Sequence, residues 1–319
     1  MVQTATYSNT FDHGIDKKSA FELAGRTGAD IYDLFALANR ARIKNKGNKI
    51  DLCSIVNAKS GSCPEDCSFC AQSAHNNSSS GSYPLRDRTS IMEAASSAKK
   101  QGVKRFCVVT SGKKPSDKEL DVICEHITEI KKIGLSPCAT LGMLDRNQLK
   151  VLKNAGLHRY HHNLETSEAF FSEICTTHTY EDKIRTIKAA RSIGLSICSG
   201  GIFGLGESWE DRIEMAFALR EIGVDSVPVN FLTPVEGTPM GSKELLAPLE
   251  ALKIIAIYRL IMPETEIRVC GGRPATLRSL NALIFTAGAD GLLLGNYLTT
   301  LGRSPDDDLQ MIKDMGLVV

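Results

Sequence analysis

Hydrophobic and polar positions follow one recurring order from about residue 49. A short run of β-branched and other apolar residues is followed by a loop rich in Gly, Ser or Asn, and then by a stretch with the period of an amphipathic helix. The helical stretches end at a glycine, a favoured C-terminal cap, in KKQGV, KKIGL, KNAGL, RSIGL, REIGV and FTAGA. Eight runs are predicted to be strands: KIDLCSIVNA, KRFCVVTS, LSPCATLG, RYHHNLET, LSICSGGIFG, SVPVNFLTP, EIRVCGGR and GLLLGN.

Eight strand–helix units in succession, with no Pro-rich linker between them, predict an α/β fold in the form of a single (β/α)8 barrel of the TIM type. Two half-barrels or a doubly wound sheet are the alternatives. Residues 14–46 are predicted to form helices that pack against the barrel. The expected organisation is therefore a helical extension over residues 1–46 and a barrel over 47–319, with the serine-rich segment 76–84 as a loop.

Alternation within each strand predicts which side chains point into the barrel. Helices cover the outside, so outward positions must be apolar and polar residues should face inward. In KRFCVVTS, Phe106 and Val108 take the outward positions and leave Arg105 and Cys107 inside. The same rule sends five cysteines and two arginines inward: Cys53, Cys107, Cys138, Cys198, Cys270, Arg105 and Arg268. A small buried core residue is the alternative interpretation of any one cysteine; Cys124 and Cys175, outside this pattern, are interpreted as structural.

Composition narrows the class of partner. The 319 residues contain 38 Lys and Arg against 37 Asp and Glu, so a net charge of +1 provides no field that would attract nucleic acid or a membrane surface. No window approaches the ~18 apolar residues of a membrane span, and the N-terminus has no signal-peptide core. We expect a cytoplasmic protein. Ten cysteines in a reducing compartment indicate metal or redox chemistry rather than disulfides.

Three of these cysteines, Cys63, Cys67 and Cys70, lie in the loop SGSCPEDCSFCAQS after the first strand. Catalytic residues of such barrels come from loops at this end. A structural zinc site needs four ligands, and only His75 is near enough in sequence to be a fourth. Three thiolates on a [4Fe-4S] cluster would leave one iron open for a further ligand, as a catalytic site requires.

The CxxxCxFC spacing, including Phe69, resembles the motif of the radical S-adenosylmethionine (SAM) enzymes. The resemblance implies that the open iron binds the methionine part of SAM and that the cluster reduces SAM to a 5'-deoxyadenosyl radical. It also implies that Phe69 and Ile202 contact the adenine and that Asn163 and Glu165 bind the ribose and the methionine ammonium group. Glu165 alone could equally cap the next helix. The glycines of GGIFGLGES would let the backbone approach a ligand closely; the alternative interpretation of this segment is a strand-to-helix turn.

Within that superfamily the chain is most similar to the biotin synthase family, in stretches such as HHNLETS, ICSGGIFGLGE, SVPVNFL and IRVCGGR. That resemblance implies sulfur insertion into dethiobiotin, with a reducing electron-transfer protein as partner and a homodimer as the assembly. It implies that Asn163 and Asn230 bind the ureido ring; a polar barrel layer is the alternative for Asn230. A second, auxiliary iron–sulfur cluster, usually [2Fe-2S], would supply the sulfur, with four ligands: Cys107, Cys138, Cys198 and Arg268.

Departures from the family pattern fall around this second cluster. Cys53 and Cys270 replace small residues, Gly291 stands at a serine position, His161 at an asparagine position, and Lys183 at an arginine position near SAM. A thiolate binds iron far better than a guanidinium, which has no free lone pair. We therefore hypothesise a larger four-iron auxiliary cluster, with Cys53 as the favoured added ligand. Cys270 is the second candidate because it lies two strand residues beyond Arg268, ~6.6 Å closer to the mouth of the barrel.

Two other classes of function remain as alternatives. A hydrogenase-cofactor maturase or a methylornithine synthase would share the barrel and the loop. Neither is expected to need Cys107, Cys138 and Cys198 together. A non-catalytic iron–sulfur carrier or sensor would form no 5'-deoxyadenosine from SAM.

Overall fold

Parallel strands form one closed barrel in the computed structural model, which describes residues 13–319. Residues 1–12 of the predicted extension lie outside the described residues. Strands β1 to β9 span Asp51–Lys59, Arg105–Thr110, Ser136–Thr140, Arg159–His161, Ser196–Cys198, Gly201–Phe203, Ser226–Phe231, Glu266–Val269 and Gly291–Leu293. Their order in the sheet is β5-β4-β3-β2-β1-β9-β8-β7-β6, and an additional pairing of β5 with β7 closes it.

The fifth predicted strand, LSICSGGIFG, is divided into β5 and β6, so nine segments occupy eight barrel positions. Gly200 and Gly201 lie at this break because the backbone is crowded there. A Cβ on Gly200 would come within 2.1 Å of the Pro228 carbonyl oxygen, and one on Gly201 within 2.4 Å of the Glu165 carbonyl oxygen. The glycines thus permit close backbone packing. The predicted (β/α)8 barrel is confirmed.

Helices α1 to α11 span Lys17–Ala24, Asp30–Lys46, Arg88–Lys100, Asp117–Lys132, Arg146–Asn154, Tyr180–Ser192, Trp209–Ile222, Pro248–Ile261, Arg273–Leu277, Leu283–Thr286 and Pro305–Asp314. Helices α4, α5, α6 and α7 begin with capping boxes, which satisfy free N–H groups at both ends of the first turn. The glycines predicted to follow the helices all have positive φ: Gly102, Gly134, Gly156, Gly194, Gly223 and Gly288.

Two apolar layers lie on opposite sides of the strands. The large outer core fills the space between strands and helices and includes the predicted outward residues Phe106, Val108 and Ala139. A separate small cluster inside the barrel contains Cys107, Val109 and Cys138. Helices α1 and α2 precede β1 and pack mainly on α7 and α8. Segment 76–84 has no helix and only an isolated bridge at Tyr83, in agreement with the predicted loop.

Candidate active site

The three-cysteine loop leaves the C-terminal end of β1 and folds back on itself at the barrel mouth. The Cys63 N–H donates to the Gln72 carbonyl (3.0 Å), the Ala74 N–H to the Cys63 carbonyl (2.7 Å), and the Cys70 N–H to the Cys67 carbonyl (3.0 Å). All three thiols are free and partly exposed. The loop therefore presents three sulfur donors, none in a disulfide, on a hydrogen-bonded backbone.

A second segment, residues 174–178, docks against this loop. The Ser68 N–H donates to the Ile174 carbonyl (2.9 Å), and the Asp66 carboxylate accepts the N–H groups of Thr176 (2.9 Å) and Thr177 (3.2 Å). Burial acts to raise the pKa of Asp66, but these hydrogen bonds hold it well below its usual value. Asp66 therefore joins two loops that are about a hundred residues apart in the chain.

Cys175 has partners that the sequence did not indicate. Its Sγ lies 3.8 Å from Sγ of Cys67 and 3.2 Å from Nδ1 of His178. The shared hydrogen bond lowers the pKa of Cys175 and raises that of Cys67, because one proton serves both sulfurs. Cys175 was interpreted as structural, and it is buried; its contacts with Cys67 and His178 are what the sequence did not indicate. No local pattern could reveal a contact with a residue 108 positions away.

One cavity of about 410 Å³ runs from this mouth into the barrel. Cys67, Phe69 and Cys70 line it at the mouth, whereas Cys63 is outside its lining. Its wall also includes most of the other predicted site residues: Cys53, Cys107, Cys138, Cys198, Arg268, Cys270, Asn163, Glu165, Ile202 and Asn230. The structure thus brings both predicted sets of cysteines to one continuous space.

Strand register gathers the inner cysteines. Cys107 pairs directly with Cys138 across β2 and β3, and Cys198 pairs with His161 across β5 and β4. Burial raises the pKa of Cys53 to about 11 and that of Cys138 to about 12. These thiols are therefore neutral in the metal-free protein and must lose protons when they bind a metal.

His161 also faces this inner set. Its Nδ1 lies 3.3 Å from Cys198 Sγ, and burial lowers the pKa of the imidazole to about 4. The ring is therefore neutral at physiological pH and can share a hydrogen with the sulfur.

Arg268 is buried with every guanidinium hydrogen occupied. Its Nε donates to Glu266 (3.0 Å), its Nη1 to the carbonyls of Asp51 (3.1 Å) and Leu292 (3.0 Å), and its Nη2 to the carboxylates of Asp51 and Glu266. Burial alone would lower the pKa of Arg268, but Glu266 holds it well above the usual value. A guanidinium in this state offers no lone pair.

Arg159 is a cavity residue that the sequence analysis missed. Its guanidinium lies 3.3 Å from the Glu266 carboxylate and donates to Ser196 Oγ (3.0 Å). It occupies the same strand parity as His161 and Asn163, so the alternation rule would have found it if applied from the first residue of β4.

Backbone groups and the Glu165 carboxylate hold the two asparagines. Asn163 accepts from the Gly200 N–H (3.1 Å) and donates to Glu165 (3.2 Å), while Asn230 accepts from the Gly271 N–H (3.0 Å) and donates to the Gly201 carbonyl (3.1 Å). Each amide retains one donor hydrogen and one acceptor lone pair. Both side chains line the cavity in fixed orientations.

Lys183 does not line the cavity. It is buried on α6, with Nζ 5.9 Å from the centre of the Phe171 ring, and its charge acts on Cys67.

A barrel with a CxxxCxFC loop after its first strand defines a radical SAM protein. The family model for the "Radical SAM superfamily" matches residues 59–219, from the end of β1 into α7. The model for the "Biotin and Thiamin Synthesis associated domain" matches residues 228–318. A radical SAM protein carries a [4Fe-4S] cluster and uses SAM, and the three free thiols beside an open cavity fit that cluster.

Sequence identity to known proteins then shows which radical SAM family the chain belongs to. The chain is 56% identical to biotin synthase of Thermodesulfovibrio yellowstonii over 91% of each chain. It is 50% identical to biotin synthase of Heliobacterium modesticaldum over 96% of this chain and 94% of the relative. The chain belongs to the biotin synthase family.

Solved structures show how widely the fold is shared. Methylornithine synthase superposes with a TM-score of 0.85 at 20% identity, covering 97% of this chain and 96% of that one. A maturase of the [FeFe]-hydrogenase gives 0.81 at 17% identity, covering 95% and 72%. These are the alternatives that the sequence left open. At such identities they share the barrel, whereas the biotin synthases share the sequence. Among residues 13–319 no helix is long and apolar enough to cross a membrane.

Proposed function

We propose that the chain inserts sulfur into dethiobiotin to form biotin, with the two sets of cysteines doing different work in one cavity. The observation that carries this proposal is the continuous space of about 410 Å³ between Cys67 and Cys70 at the mouth and Cys107, Cys138 and Cys198 at the inner wall. A substrate between the sets would face a radical source on one side and a sulfur source on the other.

Cys63, Cys67 and Cys70 would hold the [4Fe-4S] cluster, which, with SAM bound, supplies a 5'-deoxyadenosyl radical. Phe69 and Ile202 provide apolar cavity wall for the adenine. The Glu165 carboxylate and the Asn163 amide provide polar groups for the ammonium and ribose. The apolar wall also excludes water, which protects a reactive radical.

Asn163 and Asn230 would bind the ureido ring of dethiobiotin. That ring is uncharged and presents N–H donors beside a carbonyl acceptor. Each asparagine has one unused donor and one unused acceptor, and backbone contacts fix the direction of both. Fixed amides lose little side-chain entropy when they bind such a ring.

Cys53, Cys107, Cys138 and Cys198 would hold the auxiliary cluster, which we propose to be a four-iron cluster rather than [2Fe-2S]. The engagement of all five N–H donors of Arg268 supports a cysteine as the fourth ligand. Cys53 stands on β1, which pairs with the β2 strand of Cys107, and it lines the same cavity as Cys107 and Cys138. Cys270, one residue beyond the end of β8, is the second candidate.

Anaerobic reconstitution with iron and sulfide tests both parts. With SAM, a reductant and dethiobiotin, the protein should form 5'-deoxyadenosine and biotin. Iron counts and Mössbauer spectra should show more iron than one [4Fe-4S] plus one [2Fe-2S] cluster contain. Cys53→Ser should lower the auxiliary iron, and Cys124→Ser, which removes a thiol from helix α4, should not. A [2Fe-2S] spectrum unchanged in Cys53→Ser would refute the four-iron cluster without affecting the assignment of the reaction.

The remaining expectations also stay proposals. A reducing electron-transfer protein would supply the electrons for SAM cleavage. The chain would act as a homodimer in the cytoplasm. Size-exclusion chromatography with light scattering tests the dimer.

A further inference from the structure

A Cys–Cys–His group at the barrel mouth shares Cys67 with the three-cysteine motif and adds Cys175 and His178 from the docked segment. Among residues 13–319, Cys67, Cys175 and His178 are the one group of three or more Cys, His or acidic residues whose ligand atoms all lie within 4.8 Å of one another. We propose that this group binds a single thiophilic divalent cation, Fe²⁺ or Zn²⁺, in the protein that has not yet received its [4Fe-4S] cluster.

The spacing of the donor atoms suits one ion. The two sulfurs are 3.8 Å apart, and Nε2 of His178 is 3.8 Å from Cys175 Sγ. A tetrahedral ion with metal–sulfur bonds of about 2.3 Å separates its sulfur ligands by about 3.8 Å. Two thiolates and an imidazole are also the donor types preferred by Zn²⁺ and Fe²⁺.

One tautomer of His178 frees a ring nitrogen for a metal. Its Nδ1 lies 2.5 Å from the Glu65 carboxylate and 3.2 Å from Cys175 Sγ, and donation of the Nδ1 hydrogen to that carboxylate leaves the Nε2 lone pair, 3.8 Å from the sulfur, free. Histidine ligands in metal sites commonly donate their other ring hydrogen to a carboxylate in this way. Glu65 itself is fixed by Thr177, whose hydroxyl donates to it at 2.8 Å.

Burial and support distinguish this group from an accidental surface contact. Cys175 and His178 are 5% and 7% exposed, and the edge of the His178 ring packs on the Phe171 ring with centroids 5.6 Å apart. Asp66, 3.1 Å from Cys175 Sγ, lies where a carboxylate oxygen could supply a fourth ligand. The site is thus built from both docked loops, and an ion would hold them together.

Cys67 cannot serve this ion and the cluster together. This consequence rests on the proposed role of Cys67 as a cluster ligand. A bound Zn²⁺ should therefore delay cluster assembly, whereas Fe²⁺ at the same place could be taken into the cluster.

The test uses the full chain, stripped of metal anaerobically, with Co²⁺ as the spectroscopic probe. A Cys107→Ser/Cys138→Ser background disrupts the inner cysteines. We expect one equivalent of Co²⁺ with thiolate charge-transfer absorption and the visible bands of a tetrahedral ion. These should disappear in Cys67→Ser, Cys175→Ser and His178→Gln. They should persist in Cys63→Ser, Cys70→Ser and Cys124→Ser. These controls make the same cysteine-to-serine change as two of the ligand variants.

Two further variants keep the result interpretable if a ligand variant folds poorly. Glu65→Gln should weaken Co²⁺ binding by about 10- to 100-fold. His178→Cys should retain the ion and increase the thiolate absorption. Loss of the signal in Cys63→Ser and Cys70→Ser, or its persistence in both Cys175→Ser and His178→Gln, would overturn the proposal.

A second measurement separates this site from the role of Cys67 in the cluster. Zn²⁺ added before iron and sulfide should slow assembly of the [4Fe-4S] cluster in the wild type and much less in Cys175→Ser. If Co²⁺ binds as described but Zn²⁺ has no such effect, the ion site stands and Cys67 is not a ligand shared with the cluster.

Discussion

The two sets of cysteines are held in place by different kinds of contact: hydrogen bonds between loops at the mouth, and strand pairing at the inner wall. Cys63, Cys67 and Cys70 are on irregular backbone that hydrogen bonds from another loop hold in place, chiefly through Asp66. The inner cysteines stand on strands whose ladder register sets their positions. The mouth therefore depends on contacts between loops, such as that of Cys67 with Cys175, whereas the inner wall is part of the barrel itself.

The largest expected effect separates the two sets by function. Cys67→Ala should abolish 5'-deoxyadenosine formation, because the radical source is lost, and leave the auxiliary iron bound. Cys107→Ala should abolish biotin formation and retain cleavage of SAM. Iron analysis with chromatographic assay of both products checks the pair. Equal loss of 5'-deoxyadenosine in the two variants would contradict the division of work.

Next in size is the effect of Arg268→Met on stability. The change removes the buried guanidinium that both Glu266 and Asp51 contact, although Arg159 remains 3.3 Å from Glu266. Loss of one partner of a buried ion pair typically costs about 3–5 kcal/mol, and we expect the lower end of that range. Urea unfolding of the metal-free protein measures it. The control is Arg185→Met, whose ion pair with Asp182 is exposed and worth about 0–1 kcal/mol.

Arg268→Met also bears on the auxiliary cluster. If Cys53 is the fourth ligand, variant protein that folds should retain its auxiliary iron. Loss of that iron with little loss of stability would identify Arg268 as a ligand.

A smaller and purely local effect is expected from Asp66→Asn at the mouth. The neutral amide should weaken the hydrogen bonds to Thr176 and Thr177, and bonds to charged groups contribute about 1.5–3 kcal/mol each. Hydrogen exchange should accelerate at those amides while the amides of β2 keep their protection. Faster exchange throughout β2 would show that the mouth and the wall do not open independently.

The smallest effect concerns the outer helices. His126 on α4 is buried without a hydrogen-bond partner, and burial lowers its pKa below 6.5. As pH falls below about 6.5, His126 is protonated in the unfolded chain but stays neutral in the folded protein. The free energy of unfolding therefore decreases. His126→Leu should reduce that decrease in urea titrations at about pH 7.5 and 5.5. Identical pH dependence in both proteins would refute this role.

Much of the site was predictable because its inner half obeys a local rule. A strand residue and its neighbour two positions on share a face, so Cys107, Cys138 and Cys198 could be assigned to the interior from their strands alone. Arg159 obeys the same rule, which would have found it if applied from the first residue of its strand. Gly200 and Gly201 depend on distant contacts instead, because a Cβ at either position would meet the carbonyl group of Pro228 or Glu165.

The sequence alone determined the barrel, the inward and outward faces of its strands, and the motif that identifies the radical chemistry. Each of these depends on spacing within a short segment, which a chain carries before it folds. The tertiary structure decided that Cys175 and His178 meet Cys67, that Arg268 has no free donor, and that both cysteine sets share one cavity. Those facts depend on which distant segments approach each other, because contacts between loops have no period that the sequence could display.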